Sequence, residues 1–354
     1  MPIIPHEYLW KCHYEVFKAA GVPENEARIV SNHMVKANLV GHDSHGVMYL
    51  PRYTKMVEDG LIVAGAPFEV VRETPTTAVI NGNWGFGHVV LEKAMRLAIK
   101  KAKTSGIAAV TTRYHGHIGR LGGYPEIAAE EDMIVTLVAD GGGRGTNVVP
   151  YGGRERRLGT NPMSWAIPSN LEGTILVDMA TCAAAMGKIA VARARGEKVP
   201  LGWIIDKDGN DTSDPNEFFA ALPAGAHKGY ILSFVNQCVS NILSGMGDCH
   251  GSDERWLARH NIPPRHCDAC MITVINPDAF YPLEDFKREV TEFANHITSS
   301  KPAPGFSKVL YPGEYEWINA QKRRKEGISV PEKTWKEVTD LIVEYKLENV
   351  IGKP

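Results

Sequence analysis

The sequence predicts an α/β fold that has no Rossmann dinucleotide turn and that carries helical segments at both ends. Three observations lead to this prediction. Residues 5–60 and the region after Gln321 have helical periodicity, and the region between them alternates short apolar runs with helical stretches. The third observation is the glycine-rich segment 140–147, which follows a strong strand but does not open a helix. At 354 residues the chain corresponds to about two domains, or to one large α/β unit with a helical appendage.

The composition is typical of a soluble globular protein, with 44% hydrophobic and 23% charged residues. A formal net charge of -2 argues against a nucleic-acid partner, because such proteins usually present a concentrated basic face. The basic cluster 322–325 is interpreted as a solvated helix face. The first residues lack the basic region and apolar stretch of a secretory signal, and the six cysteines form no disulfide framework. We therefore expect a cytoplasmic protein with reduced thiols.

Two further segments bear on membrane and metal binding. Residues 231–246 are apolar but interrupted by Ser, Asn and Gln at helical spacing, which predicts a buried amphipathic helix and no membrane partner. Cys249, His250, His266, Cys267 and Cys270 could hold zinc. Only one Cys-x-x-Cys pair is present, so loop cysteines without a metal are favoured.

The N-terminal segment predicts three helices. The first stops at Gly21, the second begins at Pro23-Glu24 and ends near Gly41, and the third ends near Gly60. Before the third helix, Ser44 is a candidate N-cap. Tyr49 and Tyr53 lie four residues apart and should share one helix face.

The middle of the chain begins with strand-like runs at 68–72 and 78–81 and a helix closed by Gly106. A strand at 107–112 then leads into the segment 113–124, which contains two histidines and an arginine between a strand and a helix. Ligand sites on α/β scaffolds form at the carboxyl ends of strands. This segment is therefore the main candidate for a functional site.

Within that segment, His117 is a candidate proton donor, because histidine titrates near neutral pH. Arg120 follows three residues later and, on a helical first turn, would face the same side. A proton donor beside a fixed cation suits a substrate whose carboxylate adjoins a carbonyl. The alternative for His115 and His117 is a helix-capping role, which is favoured for His115.

The glycine loop after the strand 133–139 lacks the dinucleotide fingerprint. The third glycine position holds Thr146 or Val148, depending on the starting glycine, and Pro150 follows. Its bare backbone could still approach a phosphate or a substrate. Further along, the sequence predicts the strands 163–167, 174–177 and 271–275, the helices 183–195 and 283–298, and a polar helical C-terminus.

Taken together, the motifs resemble those of the malate/L-lactate dehydrogenase family, which is separate from the Rossmann-type lactate and malate dehydrogenases. The matching motifs occur in family order over nearly the whole chain, and their variants look closest to the hydroxycarboxylate dehydrogenase branch. They are Asp43-Ser-His-Gly46 with Tyr53, His117-Ile-Gly119, Val149-Pro-Tyr-Gly-Gly153, Gly159-Thr-Asn-Pro162, Asp178-Met-Ala-Thr181, Gly187-Lys188, His227-Lys-Gly-Tyr230 and Tyr311-Pro-Gly-Glu314.

The resemblance implies a mostly antiparallel, L-sulfolactate dehydrogenase-like sheet flanked by helices. It also implies an N-terminal helical segment, 1–67, packed with 314–354, a cofactor-binding and catalytic domain over 68–313, and a homodimer. By resemblance, His117 is the general acid/base, and Ser44, His45 and Tyr53 line the substrate side. The residues assigned to a nicotinamide cofactor, NAD with NADP as the alternative, are Arg144, Thr160, Asn161, Asp178, Met179, Ala180, Lys228, Gly229, Pro312, Gly313 and Glu314.

One departure from the family pattern concerns the substrate carboxylate. Many members carry an arginine three residues after the glycine of Ser-His-Gly, where this chain has Tyr49. Tyrosine offers no charged, two-pronged contact, so Arg120, or less favourably Arg52, is the expected substitute. Tyr49 would then enlarge the apolar side of the pocket and favour bulky or aromatic 2-oxo acids.

The leading hypothesis is an NAD(P)-dependent dehydrogenase of 2-hydroxy acids, of the malate, lactate or hydroxycarboxylate type. A rival within the family is a reductase of a cyclic imino acid such as piperideine- or pyrroline-2-carboxylate. A rival of another class is a non-catalytic, dimeric ligand-binding homologue. The sequence leaves open the substrate, its stereochemistry and the choice between NAD and NADP.

Overall fold

The computed structural model describes residues 1–140, 146–246 and 268–353. Arg144 of the glycine loop lies outside these ranges, as do the candidate zinc ligands Cys249, His250, His266 and Cys267. Within the ranges, no group of three His, Cys, Asp or Glu side chains is arranged to hold a metal ion. No helix of the described chain is long and apolar enough to cross a membrane.

A seven-stranded mixed sheet forms the centre of the described molecule, in the order β2-β3-β4-β11-β5-β6-β7. β3 and β4 are parallel, and every other neighbouring pair is antiparallel. The predicted non-Rossmann, mostly antiparallel fold is therefore confirmed. The strands are β2 (Glu69–Glu73), β3 (Thr77–Asn81), β4 (Ile107–His115), β5 (Ile134–Asp140), β6 (Met163–Ile167), β7 (Ile175–Met179) and β11 (Asp268–Ile275).

Strand β11 lies between β4 and β5, which are consecutive in the sequence, and pairs with both along most of its length. Its alternate residues Cys270, Ile272 and Val274 are buried in the sheet core. The helices α4 (Gly87–Ser105) and α5 (Gly123–Ala129) pack against this sheet. α4 ends at Gly106, whose φ of 79° is a left-handed conformation that favours glycine.

The helices near the two ends of the chain share one apolar core, so the predicted packing of the terminal segments is confirmed. Ile3 and Ile4 also pair with Ser329 and Ile328 in a short antiparallel ladder of β1 (Ile3–Ile4) and β12 (Ile328–Ser329). The helices are α1 (His6–Ala19), α2 (Glu24–Leu39), α3 (Leu50–Glu58), α9 (Glu314–Glu326), α10 (Glu332–Glu344) and α11 (Glu348–Ile351).

A smaller three-stranded sheet, ordered β10-β8-β9, carries its own apolar clusters with α6. The helix α8 follows β11 and matches the predicted bounds 283–298. The remaining elements are α6 (Met186–Arg195), β8 (Ile204–Ile205), β9 (Asp211–Thr212), β10 (Ala220–Ala221), α7 (His227–Gln237), continued by a π-helical turn over Cys238–Ile242, and α8 (Leu283–Thr298).

The predicted burial of the apolar face of α7 is wrong, because this face is exposed at the surface of the chain. Ile231, Phe234 and Val235 are 54%, 56% and 49% exposed, whereas Ser233 and Asn236 are buried. The polar face turns inward because it bonds backbone: Asn236 Nδ2 donates to the carbonyl oxygen of Asn161 at 2.9 Å. A buried backbone carbonyl needs such a partner, and this requirement decides which face of α7 is covered.

Candidate active site

His117 lies on an irregular segment that follows β4, and close packing holds the segment in place. The hydroxyl of Tyr124 donates to the carbonyl oxygen of Ile118 at 2.5 Å. Gly119 has a φ of 66°, and a Cβ there would lie 2.4 Å from Nε2 of His88. Glycine is therefore required at 119, and the backbone beside His117 is fixed.

The ring of His117 is oriented through its Nδ1 atom. Tyr53 Oη lies 2.6 Å from Nδ1, and the backbone N–H of Gly119 donates to the same atom at 3.3 Å. Both contacts hold the ring at Nδ1, where the Tyr53 hydroxyl can donate to a bare nitrogen or accept from a protonated one. Tyr53 is fully buried, and burial raises its pKa well above the ordinary value, so its hydroxyl stays neutral.

His45, Tyr49 and His117 form a group of parallel rings. The ring of Tyr49 lies 5.1 Å from that of His117, with 9° between their planes, and His45 lies 5.9 Å from His117 at 12°. Tyr49 and Tyr53 are 5.0 Å apart, which confirms their predicted common face. The guanidinium of Arg52 lies over Tyr49 at 5.4 Å. Tyr49 is thus part of an aromatic wall beside His117.

The predicted N-cap role of Ser44 is wrong. Residues 43–49 form two short 3₁₀ turns, and α3 begins only at Leu50, with Pro51 in its first turn. The hydroxyl of Ser44 instead hydrogen-bonds Nδ1 of His45 at 3.0 Å. Burial lowers the pKa of His45 to about 4, although nearby Asp178 partly opposes this shift. His45 is therefore neutral at physiological pH.

Arg120 does not lie on the same helical turn as His117, because residues 116–120 are irregular and α5 begins at Gly123. The side chain is only 4% exposed. Its Nη2 donates to Glu126 Oε1 at 2.9 Å, and its Nε lies 3.4 Å from Asp178 Oδ2. Nη1 has no hydrogen-bond partner among the residues that the structure describes.

Glu126 is held as a carboxylate by this arginine and by Lys36. Burial alone would raise the pKa of Glu126, but Arg120 and Lys36 together lower it to about 2. Lys36 Nζ lies 2.6 Å from Glu126 Oε2. The buried Glu126 is thus an internal partner of Arg120.

Asp178 connects the histidine segment to the strand that carries the predicted cofactor residues. Its Oδ2 accepts the backbone N–H of Gly122 at 2.9 Å, and a Cβ at Gly122 would lie 2.7 Å from the same oxygen. Asp178 and Met179 end β7, and Met179 is 42% exposed. The close approach at Gly122 brings β7 next to His117 and His45.

Several predicted cofactor residues meet around Thr181, a motif residue for which the sequence predicts no role. The N–H and hydroxyl of Thr181 donate to the carbonyl oxygen of Thr160 at 3.0 and 2.9 Å. A Cβ at Gly229 would lie 2.5 Å from the carbonyl oxygen of Thr181. Ala180 and the first turn of α7, which includes exposed Lys228, are thus held side by side.

The side chain of Asn161 is held by hydrogen bonds within the protein. Its side chain is fully buried, and Nδ2 donates to the carbonyl oxygen of Ser233 at 3.1 Å and to Gln237 Oε1 at 3.2 Å. Its φ of 37° is unusual for a residue with a side chain. These bonds place the segment Gly159–Pro162 against α7.

The turn Pro312–Glu314 lies on the start of β7. Leu176 N–H donates to the carbonyl oxygen of Pro312 at 3.0 Å. A Cβ at Gly313 would lie 2.3 Å from the carbonyl oxygen of Thr174, and the φ of Gly313 is 93°, so only glycine fits. The described cofactor residues thus lie along β7, its flanking turn and the start of α7.

This donor set fits a nicotinamide dinucleotide. Lys228 is exposed in the first turn of an 11-residue helix, where its cation and the positive end of the helix dipole suit a phosphate. The exposed end of β7 at Met179 lies beside the histidine segment and offers backbone groups to a planar ring. Arg144 lies outside the described residues.

Two functional candidates have no assigned role in the sequence prediction. Asn38 Nδ2 donates to Asp43 Oδ1 at 2.7 Å, and the N–H of Val47 donates to Asn38 Oδ1 at 2.8 Å. Arg323 makes a two-pronged contact with Asp43 at 2.7 and 3.0 Å. A polar residue on the apolar face of α2 is the signal that could have identified Asn38, whereas Arg323 lies in a run of basic residues that looks solvated.

A family model described as malate/L-lactate dehydrogenase matches residues 4–339. The malate/(S)-sulfolactate dehydrogenase of Methanothermus fervidus is 37% identical over 337 residues, which cover 94% of this chain and 95% of that protein. Hydroxycarboxylate dehydrogenase B of Escherichia coli K12 is 33% identical over 335 residues, with 92% and 89% covered. The crystal structure of malate dehydrogenase from Entamoeba histolytica matches with a TM-score of 0.91 at 29% identity, covering 98% of each chain.

The chain belongs to the malate/L-lactate dehydrogenase family, a family of 2-hydroxy acid oxidoreductases. The family predicted from the ordered motifs is confirmed. Hydroxycarboxylate dehydrogenase B is among the relatives, but its 33% identity is below the 37% of the sulfolactate enzyme.

Proposed function

We propose that this protein transfers a hydride between a nicotinamide cofactor and a 2-oxo or 2-hydroxy acid, with His117 as the proton donor and acceptor. The observation that carries the proposal is the 2.6 Å contact between Tyr53 Oη and His117 Nδ1. It fixes the orientation of the half-buried His117 ring. A general acid requires such orientation before its pKa matters.

When bound, the reduced nicotinamide supplies the hydride. His117 supplies the proton: in the cationic ring Nδ1–H donates to the Tyr53 oxygen, and Nε2–H is transferred to the oxygen of the reduced carbonyl. Loss of the Nε2 proton leaves a neutral ring that is protonated on Nδ1 and still donates to Tyr53, so the contact persists in both states. In the oxidation direction His117 takes the hydroxyl proton back. Ser44 and His45 line the same side, with neutral His45 as a hydrogen-bonding group.

For the substrate carboxylate we propose Arg120, through Nη1. Arg120 is held between Glu126 and Asp178, and Nη1 is a buried donor that lacks a hydrogen-bond partner among the described residues. An unsatisfied buried donor costs about 1–3 kcal/mol, and a bound carboxylate would remove that cost. Arg52 is the weaker candidate, since it is exposed and lies over the Tyr49 ring.

Tyr49 supports a preference for monocarboxylic substrates with a bulky or aromatic side chain. Its ring lies parallel to that of His117 and forms an apolar wall beside the reacting position. A planar side chain can stack on such a wall, whereas Tyr49 itself offers no charged contact to a second carboxylate or a sulfonate.

For the cofactor we propose NAD, with the contacts supplied by Arg144, Thr160, Asn161, Asp178, Met179, Ala180, Lys228, Gly229, Pro312, Gly313 and Glu314. Support comes from the grouping of the described members around Thr181 and β7. Asn161 would contact the cofactor through its backbone atoms, because its side-chain amide already bonds α7.

We further propose a cytoplasmic homodimer that uses the face of α7 and its π-helical extension. Five large apolar side chains on this face, all about half exposed, are Ile231, Phe234, Val235, Ile242 and Leu243. An apolar stripe of this extent on a helix is typical of a protein interface, and its occupant would be the same face of a second copy. Cys12, Cys182 and Cys270 are buried and have no disulfide partner among the described residues, as is usual for proteins of a reducing compartment.

A division of the chain into a terminal helical part, 1–67 with 314–354, and a catalytic part, 68–313, remains our proposal. The shared apolar core of the terminal helices supports it, although Phe86 and Val89 of the catalytic part also enter that core.

The experiment that tests the function is a substrate panel assayed with NADH and NADPH. Phenylpyruvate, pyruvate, oxaloacetate and sulfopyruvate would be compared with piperideine-2-carboxylate. We expect turnover of the 2-oxo acids with NADH, and phenylpyruvate should be preferred to oxaloacetate. Turnover of the cyclic imine alone would contradict the proposed reaction, and failure to bind either cofactor would indicate a non-catalytic protein.

A further inference from the structure

The C-terminal helix α9 connects the two halves of the proposed site, although none of its side chains belongs to it beyond Glu314. Its first turn lies against β7, where Gly313 packs on Thr174. Between Glu316 and Arg323, α9 contacts the loop 41–47 that carries Ser44 and His45. The cofactor side and the substrate side of the site are therefore attached to one rigid helix.

Three contacts attach the loop to α9. His42 Nε2 lies 3.2 Å from Glu316 Oε1, and a Cβ at Gly41 would lie 3.1 Å from Asn319 Nδ2. The strongest contact is that of Arg323, whose two terminal nitrogens bond both carboxylate oxygens of Asp43. A two-pronged guanidinium–carboxylate contact fixes orientation as well as distance.

Asn38 on α2 completes the attachment from the other side. Its amide donates to Asp43 and accepts from Val47, so it bonds both ends of the loop. Arg323 also donates to the carbonyl oxygen of Asn38 at 2.5 Å. A Cβ at Gly46 would lie 2.1 Å from Asn38 Oδ1, which leaves no room for another residue there. The loop of Ser44 and His45 is thus clamped between α2 and α9.

We propose that Arg323 is a positioning residue of the proposed dehydrogenase, which acts through Asp43 to set the placement of Ser44 and His45 relative to β7. This inference rests on the proposed function only for its kinetic readout. A displacement of about 1 Å at a reacting centre can lower turnover roughly a hundredfold. Loss of the clamp should therefore impair use of the oxo acid more than cofactor binding.

The test compares Arg323→Met and Arg323→Lys with the matched control Arg324→Met, whose arginine is exposed on the same helix. For Arg323→Met we expect kcat/KM for the oxo acid to fall roughly tenfold to a hundredfold, with the dissociation constant of the cofactor changed by less than about twofold. Arg323→Lys should recover part of the loss, and Arg324→Met should resemble the wild type. Combining Arg323→Met with Asp43→Asn should add little to the single variants.

Hydrogen exchange of the amides in 43–47 provides a readout that needs no activity. Arg323→Met should accelerate exchange in this loop, including Val47, while exchange in β4 stays unchanged. If Arg323→Met accelerates exchange in this loop but the wild type has no dehydrogenase activity, the proposed function fails and the positioning role stands. Equal kinetics for Arg323→Met and Arg324→Met, or a uniform loss of protection over the whole chain, would overturn the positioning role.

Discussion

At the scale of single residues, the properties of the site depend on close neighbours from distant parts of the sequence. His117 is oriented by Tyr53, 64 positions away in the sequence. Arg120 is shared between Glu126, which lies close by in the sequence, and Asp178, which does not. The residue types are readable from the sequence, whereas their partners follow from the fold.

Substituting His117→Ala should lower kcat by roughly a hundredfold or more, because this is the usual contribution of a general acid. Cofactor affinity should change little, since the described cofactor candidates lie on β7, α7 and the turn at Gly313. Steady-state kinetics and cofactor titration by fluorescence measure the two effects. Near-normal turnover in this variant would remove His117 from the mechanism.

Arg120→Lys tests whether the arginine contacts the substrate carboxylate or only the buried carboxylates. Lysine keeps the charge but loses the fork, so we expect a raised Michaelis constant for the 2-oxo acid. The methyl ester of the same substrate lacks the carboxylate, and its kinetics should respond far less. An equal effect on acid and ester would assign Arg120 to the internal contacts with Glu126 and Asp178 alone.

Arg52→Lys is the matched control for that experiment. Arg52 is exposed and stacks on Tyr49, and its replacement should change the kinetics of acid and ester by less than about twofold. Arg120→Met is less informative, because removal of one partner from a buried ion pair is expected to destabilise the fold by about 3–5 kcal/mol.

At the scale of elements, local pattern and long-range contacts have separate parts in the fold. The strand Met163–Ile167 and the helix Leu283–Thr298 have the predicted bounds, since periodicity and flanking turns define them. The segment 116–120 is not helical, because Gly119 adopts a left-handed conformation packed against His88. Such a contact across the fold is invisible to a local pattern.

The orientation of α7 is the clearest case of a feature that depends on contacts across the fold. Its apolar periodicity is readable from the sequence, but the burial of its polar face depends on Asn161 and the backbone of the adjacent segment. The core residues of the three N-terminal helices pack with the C-terminal helices. The candidate dimer surface is therefore on α7 and not on those helices.

Phe234→Asp tests this surface. A carboxylate at the centre of an apolar interface would have to lose its hydration, so we expect the variant to be monomeric under conditions in which the wild type is dimeric. Phe293→Asp on α8 is the matched control, since Phe293 is similarly exposed but lies off the α7 face. Light scattering at micromolar concentration measures both; a wild-type monomer, or a dimeric Phe234→Asp variant, would contradict the proposal.

At the scale of the whole molecule, buried histidines make stability depend on pH. His13 lies fully buried in α1, and neither ring nitrogen has a hydrogen-bond partner among the described residues. Burial lowers the pKa of His13 to about 3, below the value of about 6.5 in an unfolded chain. Between these values the unfolded state binds a proton that the folded state does not, so stability is lost as the pH falls through this window.

His13→Leu should weaken that dependence. The wild type is expected to lose about 2 kcal/mol at pH 5, relative to pH 7.5, through His13 alone. Buried His88, whose pKa burial lowers in the same direction, should retain its share in the variant. Urea unfolding at the two pH values measures the difference, with His296→Leu on the exposed face of α8 as the control. A pH dependence identical in the His13 variant and the wild type would contradict this account.

The place of β11 in the sheet has a consequence for the biogenesis of the protein. β4 and β5 are complete once residue 140 has been synthesised, but the strand that joins them ends at Ile275. At about 5–20 residues per second this interval lasts on the order of 10 s. During it the nascent chain carries two apolar strands whose facing edges have no native partner, a condition that favours misassociation. Chaperone assistance, or slow translation after residue 275, would therefore matter more for this chain than for one whose central strands are neighbours in sequence.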